Sequence, residues 1–451
     1  MIALPKEYAE RMKRLLGNEY DAYLSTFDKA PARGFLINTS KIDEAKFDEL
    51  FPFAMEGIPY ANAARRLLSD EKVGGDPMHA AGLYYMQDPG AMSAVAALPA
   101  LGQRVLDIAA APGGKTIAAA LSSPSSFIVA NEINFPRAKI LMQNIERLGL
   151  KNVGVCSLTP KDIGRYYPEV FDTVIADLPC SGEGMFRKEA AALAAWNPNI
   201  NKMNAERQKE ILDAVLPALK KGGTLLYSTC TYAEEEDEDI VTYLEEKYEM
   251  HLVSPREAVL PYTASGNTAK YGADYAKTRR FYPHIAAGEG QFFAVLKKEG
   301  ESLTQYKAIP TKVTVNELRK IRAFTDRYLT EELLSVVKQG ESYYATHPLS
   351  RTIPIKYLAE GVRLGEIKGD RFVPHHNLFT AFGAGFKNRE DLSADDPRLA
   401  KYLYGEEIPA RQASDGYVAV TLGGYPLGGG KCVDGSIKNH YPKGLRSHSA
   451  Q

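Results

Sequence analysis

The chain has 451 residues and a formal net charge of −1, with 25% charged side chains. Two or three domains are expected from that length, and the near-neutral balance excludes a global basic field, so any nucleic-acid binding must rest on local faces. The four cysteines, Cys156, Cys180, Cys230 and Cys432, are far apart and lack C-x-x-C spacing, which argues against both a zinc site and a disulfide scaffold.

The opening MIALPKEYAERMKRLL turns charged too soon for a signal peptide, and no apolar run approaches the roughly 20 residues of a membrane span. Free thiols suit a reducing cytoplasm. Residues 1–30 place Tyr8, Met12, Leu15, Leu16, Tyr20, Tyr23 and Leu24 at helical spacing. A short strand over 34–38 and a mixed segment over 41–95 follow. Pro99 and Gly102 punctuate a boundary, so 1–98 reads as an α+β extension. From Arg104 the pattern becomes strand, loop, helix, repeated. Strands are expected at 105–108, 127–130, 153–156, 173–176 and 224–228, and helices at 135–148, 205–219 and 234–248. This alternation predicts an α/β domain over 99–298, a doubly wound parallel sheet with ligands at the carboxyl ends of its strands. Residues 291–296 read as a late edge strand. A polar linker over 299–312, with Gly300 and Pro310, precedes a separate region over 313–451.

Three motifs carry chemistry. Ala109-Ala110-Ala111-Pro112-Gly113-Gly114-Lys115-Thr116 follows a strand and opens a helix, where small residues let a ligand approach the backbone and its free N–H groups. Its GGKT end resembles a P-loop, but Ala109 stands where that pattern needs glycine. The competing reading is an S-adenosylmethionine loop, with Glu132 placed to bind ribose at the end of the next strand. The second motif, Asp177-Leu178-Pro179-Cys180, ends a buried strand in an acid and a thiol. The third, Ser228-Thr229-Cys230-Thr231, puts another thiol at a strand end. A lone cysteine is more often a small core residue, yet two at neighbouring strand ends can converge above one pocket. A thiolate adding to carbon 6 of cytosine makes carbon 5 nucleophilic, splitting one hard step into easier ones.

AAAPGGKT, DLPCSGEGMFRK and STCTY, in this order, resemble the Nol/Nop/Sun family of RNA cytosine-5 methyltransferases. RFYPH (280–284), GEGQFF (288–293) and YYMQDPGAM (84–92) match further family blocks. Residues 361–374 and 424–446 are similar to the RsmF-type bacterial members, which modify 16S ribosomal RNA. The resemblance implies a Rossmann-like S-adenosylmethionine-dependent core between an RNA-binding extension and a PUA-like module. It makes Cys230 the nucleophile, Cys180 the residue that releases the product, and Asp177 the holder of the cytosine edge that also touches the donor. Residues Ala109 to Lys115 and Glu132 would bind the donor, with Ser157, or Asp162 as the acidic alternative, near the adenine. Ala109, Leu178 and Gly429 depart from the family pattern, the last replacing a usual aromatic residue.

Arg187, Lys431, Lys438, Lys443 and Arg446 are the candidate RNA contacts, with His440 and Tyr441 interleaved in the tail. The acidic run Glu234–Asp239 reads as a helix start, Trp196 as a packing anchor and His284 as a loop-ordering residue. The expected partner is 16S ribosomal RNA or the small subunit, bound by a monomer, with no metal and no membrane. Rival readings are a transfer RNA methyltransferase, a non-catalytic assembly factor and a P-loop NTPase.

Overall fold

The computed structural model describes residues 4–446 apart from 72, 305 and 334. Helices Lys6–Leu16 and Tyr20–Ser25 turn Tyr8, Met12, Tyr20 and Tyr23 inward, against Phe186, Trp196, Tyr232 and Tyr282. An antiparallel sheet follows, in the order Met55–Gly57, Ala64–Leu67, Gly34–Ile37, Tyr84–Gln87.

Five parallel strands form the centre, in the order Leu219–Thr229, Phe171–Asp177, Arg104–Asp107, Phe127–Asn131, Val153–Cys156. Their interiors are continuous apolar runs, as strands covered on both faces require. The chain builds outward from Arg104–Asp107 to one side and then returns to build on the other. That reversal opens a crevice at the strands' carboxyl ends. Helix Phe135–Leu148 shows how local sequence sets an element. The Asn134 side chain caps it by accepting from the Arg137 N–H, Pro136 sits in the first turn, and Gly149 closes it at φ 68°. Ala138, Leu141, Ile145 and Leu148 are buried, whereas Ile140, counted with the apolar face from its spacing, is exposed.

Other elements differ from expectation. The helix expected at 205–219 runs Pro198–Val215, started by Asn197 as cap and stopped before Pro217, which has no N–H to continue the ladder. Residues Pro160–Tyr166 form a helix that sequence pattern did not reveal. Strand Gln291–Lys298 is interior: it pairs with Leu219–Thr229 on one side, and with Arg279–Phe281 and Met250–Val253 on the other. The acidic run does open a helix, Glu238–Tyr248, after a turn at Glu234–Glu236, but part of it faces the interior. Glu236, Asp237 and Glu238 are fully buried, the last two paired with Arg280.

Helix Val315–Tyr328 begins with a capping box of Thr314 and Glu317. Strand Ala359–Glu360 then pairs with Val153–Cys156, and Tyr357 packs edge-on against Phe127. The C-terminal region thereby covers an open edge of the parallel sheet. It contains two further sheets. The first orders Val336–Gln339, Ser342–Ala345, Val362–Lys368 and Arg371–Pro374, and the second orders Arg389–Leu392, Gly416–Leu422, Tyr425–Val433, Ser436–Asn439 and Ile408–Pro409. The second shares a core with the N-terminal sheet, where Phe35, Phe47 and Tyr84 meet Leu399, Tyr402 and Tyr441. Gly429 has a packing reason: helix His376–Phe382 lies so close that a Cβ there would sit 2.4 Å from the Phe379 ring.

Candidate active site

Strands Phe171–Asp177 and Leu219–Thr229 run side by side in parallel, with Asp177 opposite Ser228. Each chain then leaves the sheet carrying a cysteine, and the two Sγ atoms lie 3.3 Å apart. Both are partly exposed and free of disulfide. The contact with Cys230, followed by burial, pushes the Cys180 thiol well up from its ordinary range, so Cys180 keeps its proton. Asp177 ends the strand three residues before Cys180. Its Oδ1 accepts from the Ser228 hydroxyl at 2.7 Å, and its Oδ2 is 2.8 Å from the Lys115 ammonium. Lys115 is nearly buried while Asp177 is 34% exposed, so the carboxylate keeps a face open to the crevice. Lys115, expected in the donor loop, is thus paired with Asp177.

The loop between Cys180 and Arg187 is braced from several directions. The Gly184 N–H donates to the Cys230 carbonyl, and the Gly290 N–H to the Gly184 carbonyl. Glu183 is buried and accepts from Trp196 Nε1, Asn201 Nδ2 and the Tyr232 N–H, and it pairs with Arg11. Glu236 accepts from the Ser181 N–H, Asn201 and Gln208, and burial pushes its carboxyl up to about 7. Asp237 accepts from the Thr229 hydroxyl, one residue before Cys230. Sequence reasoning missed these carboxylates as site supports. Their signal would have been acids immediately flanking both cysteine motifs, but their partners Arg11 and Arg280 are remote in the chain.

On the donor side, Ala109, Ala110 and Ala111 lead through a cis Ala111–Pro112 peptide to Gly113, at φ 125°, which caps helix Gly114–Ser122. A side chain on Gly114 would meet the Gln87 amide at 2.8 Å. Arg137 and Asn144 donate to the carbonyls of Ala111 and Pro112, fixing the loop from the neighbouring helix. Glu132 is buried, one oxygen accepting the Asn134 N–H while Oε2 makes no hydrogen bond but lies 3.4 Å from the Arg137 guanidinium. Asp107 is likewise buried: Oδ2 accepts from Thr116, Oδ1 is unpartnered, and burial pushes the carboxyl up to about 7. Buried carboxylate oxygens with unused hydrogen-bonding capacity, beside a small-residue loop and a free helix N-terminus, suit a ligand with hydroxyl and amino donors. The exposed Ile133 adds an apolar wall next to Glu132. Ser157 lies on this side, its hydroxyl reaching the Ile133 carbonyl at 3.4 Å. Asp162 is engaged with Thr159, whose hydroxyl donates to it across the first turn of Pro160–Tyr166.

The expected RNA contacts separate. Arg187 is turned inward onto Glu289 and the carbonyls of Lys29 and Ala30, and is not a freely exposed cation. Lys431, Lys438 and Lys443 are exposed, and Arg446 is half-buried against the Tyr441 carbonyl. Tyr441 is buried in the shared core, so it packs and offers no open face to a base. Trp196 is buried, and His284 meets Glu19 at 3.0 Å. Cys156 and Cys432 are buried too, the former with its thiol pushed up to about 12. Among the described residues no group of three or more His, Cys, Asp or Glu could hold a metal ion, and no helix is long and apolar enough to cross a membrane.

Family models match three stretches of this chain. Residues 94–297 match the 16S rRNA methyltransferase RsmB/F model, 4–89 the N-terminal domain of 16S rRNA methyltransferase RsmF, and 389–447 the methyltransferase RsmF PUA domain. Ribosomal RNA small subunit methyltransferase F of Cronobacter sakazakii is 31% identical, covering 98% of this chain and 96% of its own length. The protein of the same name from Escherichia fergusonii is 30% identical, covering 98% and 97%. Among solved structures, a methyltransferase homolog from Pyrococcus horikoshii has 28% identity and a TM-score of 0.57, covering 65% of this chain and 95% of its own. NSun6 from the same organism, at 21% identity and a TM-score of 0.57, covers 66% and 99% and shares the fold.

Proposed function

As this chain belongs to the 16S rRNA methyltransferase RsmB/F family, we propose that it methylates carbon 5 of a cytidine in small-subunit ribosomal RNA, using S-adenosylmethionine and a covalent bond between Cys230 and the base. The observation that carries this reading is the 3.3 Å approach of two free thiols just past the strand ends at Asp177 and Ser228, at the crevice of a Rossmann-like sheet. Glu132 would take the ribose hydroxyls, the Ala109–Lys115 loop the amino-acid end, and Ile133 the adenine face. Bound there, the cofactor supplies an electrophilic methyl group.

The cytidine must leave its stack, because carbon 6 is unreachable within a helix. Asp177, oriented by Lys115 and Ser228, accepts from the exocyclic amine and holds the ring edge. The Cys230 thiolate adds to carbon 6, and carbon 5 becomes nucleophilic. After methylation water takes the carbon-5 proton, the C5–C6 double bond re-forms and the C6–S bond breaks, its electron pair returning to Cys230 as thiolate. Cys180, still a thiol, donates a hydrogen bond to that sulfur as it regains charge. Product release thus depends on Cys180, and attack depends on Cys230. Lys431 and Lys438 support RNA binding: they are directly opposed across two strands of the PUA sheet, both exposed, an arrangement that repels unless an anion lies over it. The test is tritiated methyl transfer to 16S rRNA. Cys230→Ala should abolish transfer while RNA binding survives, and transfer at the wild-type rate would sink the assignment.

A further inference from the structure

A cleft of about 300 Å³ opens where the N-terminal extension meets the catalytic domain. It is lined by Lys29, Arg33, Arg66 and Arg187, with Asp70 the one opposing acid in its lining and Ser69 beside it. Among the described residues, neither Lys29 nor Arg33 has an ion-pair partner. Arg66 pairs with Glu56, and Arg187 with Glu289. Two buried polar atoms in the lining have no partner: Arg187 Nε, on a side chain only 8% exposed, and Ser69 Oγ. The cleft is joined to the catalytic centre by a short relay. Cys230 is bonded to Gly184 and Gly184 to Gly290; the adjoining Glu289 holds Arg187, which in turn holds the carbonyls of Lys29 and Ala30. Unpaired cations, an orphaned guanidinium N–H and an orphaned hydroxyl make a surface in which donors outnumber the single acid, Asp70, and that suits phosphodiester oxygens.

We infer that this cleft grips the RNA backbone beside the nucleotide swung out for methylation, with Lys29 and Arg33 neutralising phosphates and Arg187 tying that grip to the loop that carries Cys180. The inference rests on the chain being an RNA methyltransferase and adds where the flanking strand runs. The test compares full-length wild type with a Lys29→Gln/Arg33→Gln variant, using 16S rRNA and a mixed-sequence single strand of about 20 nucleotides between about 50 and 200 mM salt. The variant should bind both RNAs about tenfold or more weakly, with a salt slope shallower by about one per cation removed. A charge-keeping Lys29→Arg/Arg33→Lys variant should retain wild-type binding. An unchanged slope, a loss confined to one RNA sequence, or an equal loss in the charge-keeping variant would overturn the inference. So would inorganic phosphate raising the melting temperature of wild type but not of the Gln variant while RNA binding stays equal, since that marks a small-anion site. Calorimetry with S-adenosylmethionine keeps the two readings apart: a wild type that cannot bind it would sink the methyltransferase reading and leave the cleft result standing.

Discussion

Glu183→Gln should destabilise the protein and slow its chemistry together. Glu183 is fully buried and serves four donors: the Arg11 guanidinium, the Trp196 indole, the Asn201 amide and the Tyr232 N–H. The substitution preserves shape but removes the counter-charge of Arg11, whose side chain is only 13% exposed, and sets a new amide donor against existing ones. Breaking a buried ion pair by neutralising one partner costs about 3–5 kcal/mol. With a urea m-value of about 2–3 kcal/mol/M, the midpoint should fall by about 1–2.5 M. The assay is built in, because Trp196 is the sole tryptophan and donates directly to Glu183, so its fluorescence reports this network. Arg11→Met added to Glu183→Gln should cost much less than it does in wild type, since the two residues share one interaction. A midpoint that does not move would refute the view that Glu183 holds the N-terminal helix to the catalytic loop.

Other expectations can be checked alongside. Burial raises Asp107 from 3.8 to about 7. Its protonated form therefore supports folding fully below about pH 4, and that support is lost as pH climbs through 7. Without cofactor, wild type should lose about 2 kcal/mol more than Asp107→Asn between about pH 5.5 and 8, and parallel denaturation curves would contradict this. Glu132→Ala should weaken S-adenosylmethionine binding by about 10- to 100-fold in calorimetry, the cost of losing charge-assisted hydrogen bonds; unchanged affinity would displace the donor from this crevice. Lys431→Gln/Lys438→Gln should weaken RNA binding while raising stability by a few tenths of a kcal/mol, because like charges directly opposed repel. Unchanged RNA affinity would remove these lysines from the interface.

What the sequence made legible was local. Strand, loop and helix alternated from Arg104 onward, and helix Phe135–Leu148 carried its own cap, first-turn proline and terminal glycine. The two cysteine motifs sat at strand ends, so their approach follows once the strands are adjacent. Long-range partners were hidden. The acidic run was legible as a helix start, but nothing near it announces Arg280 more than 40 residues later, so the burial of its carboxylates was not. The position of Gln291–Lys298 depends on strands that flank it in space. Tyr441 resembled a base platform because basic residues flank it in the chain, yet it lies just past strand Ser436–Asn439 and packs into the core shared with the N-terminal sheet. The closing of the sheet edge by Ala359–Glu360 likewise could not be read from two residues, and it shows why truncating near residue 310 would expose an unpaired strand.

The central claim is that Cys230 attacks and Cys180 releases. Cys180→Ala protein incubated with 16S rRNA and S-adenosylmethionine should accumulate a covalent protein–RNA adduct on a denaturing gel, mapped by mass spectrometry to Cys230 and absent from the Cys180→Ala/Cys230→Ala protein. An adduct mapped elsewhere, or none while single-turnover methylation proceeds, would contradict the account.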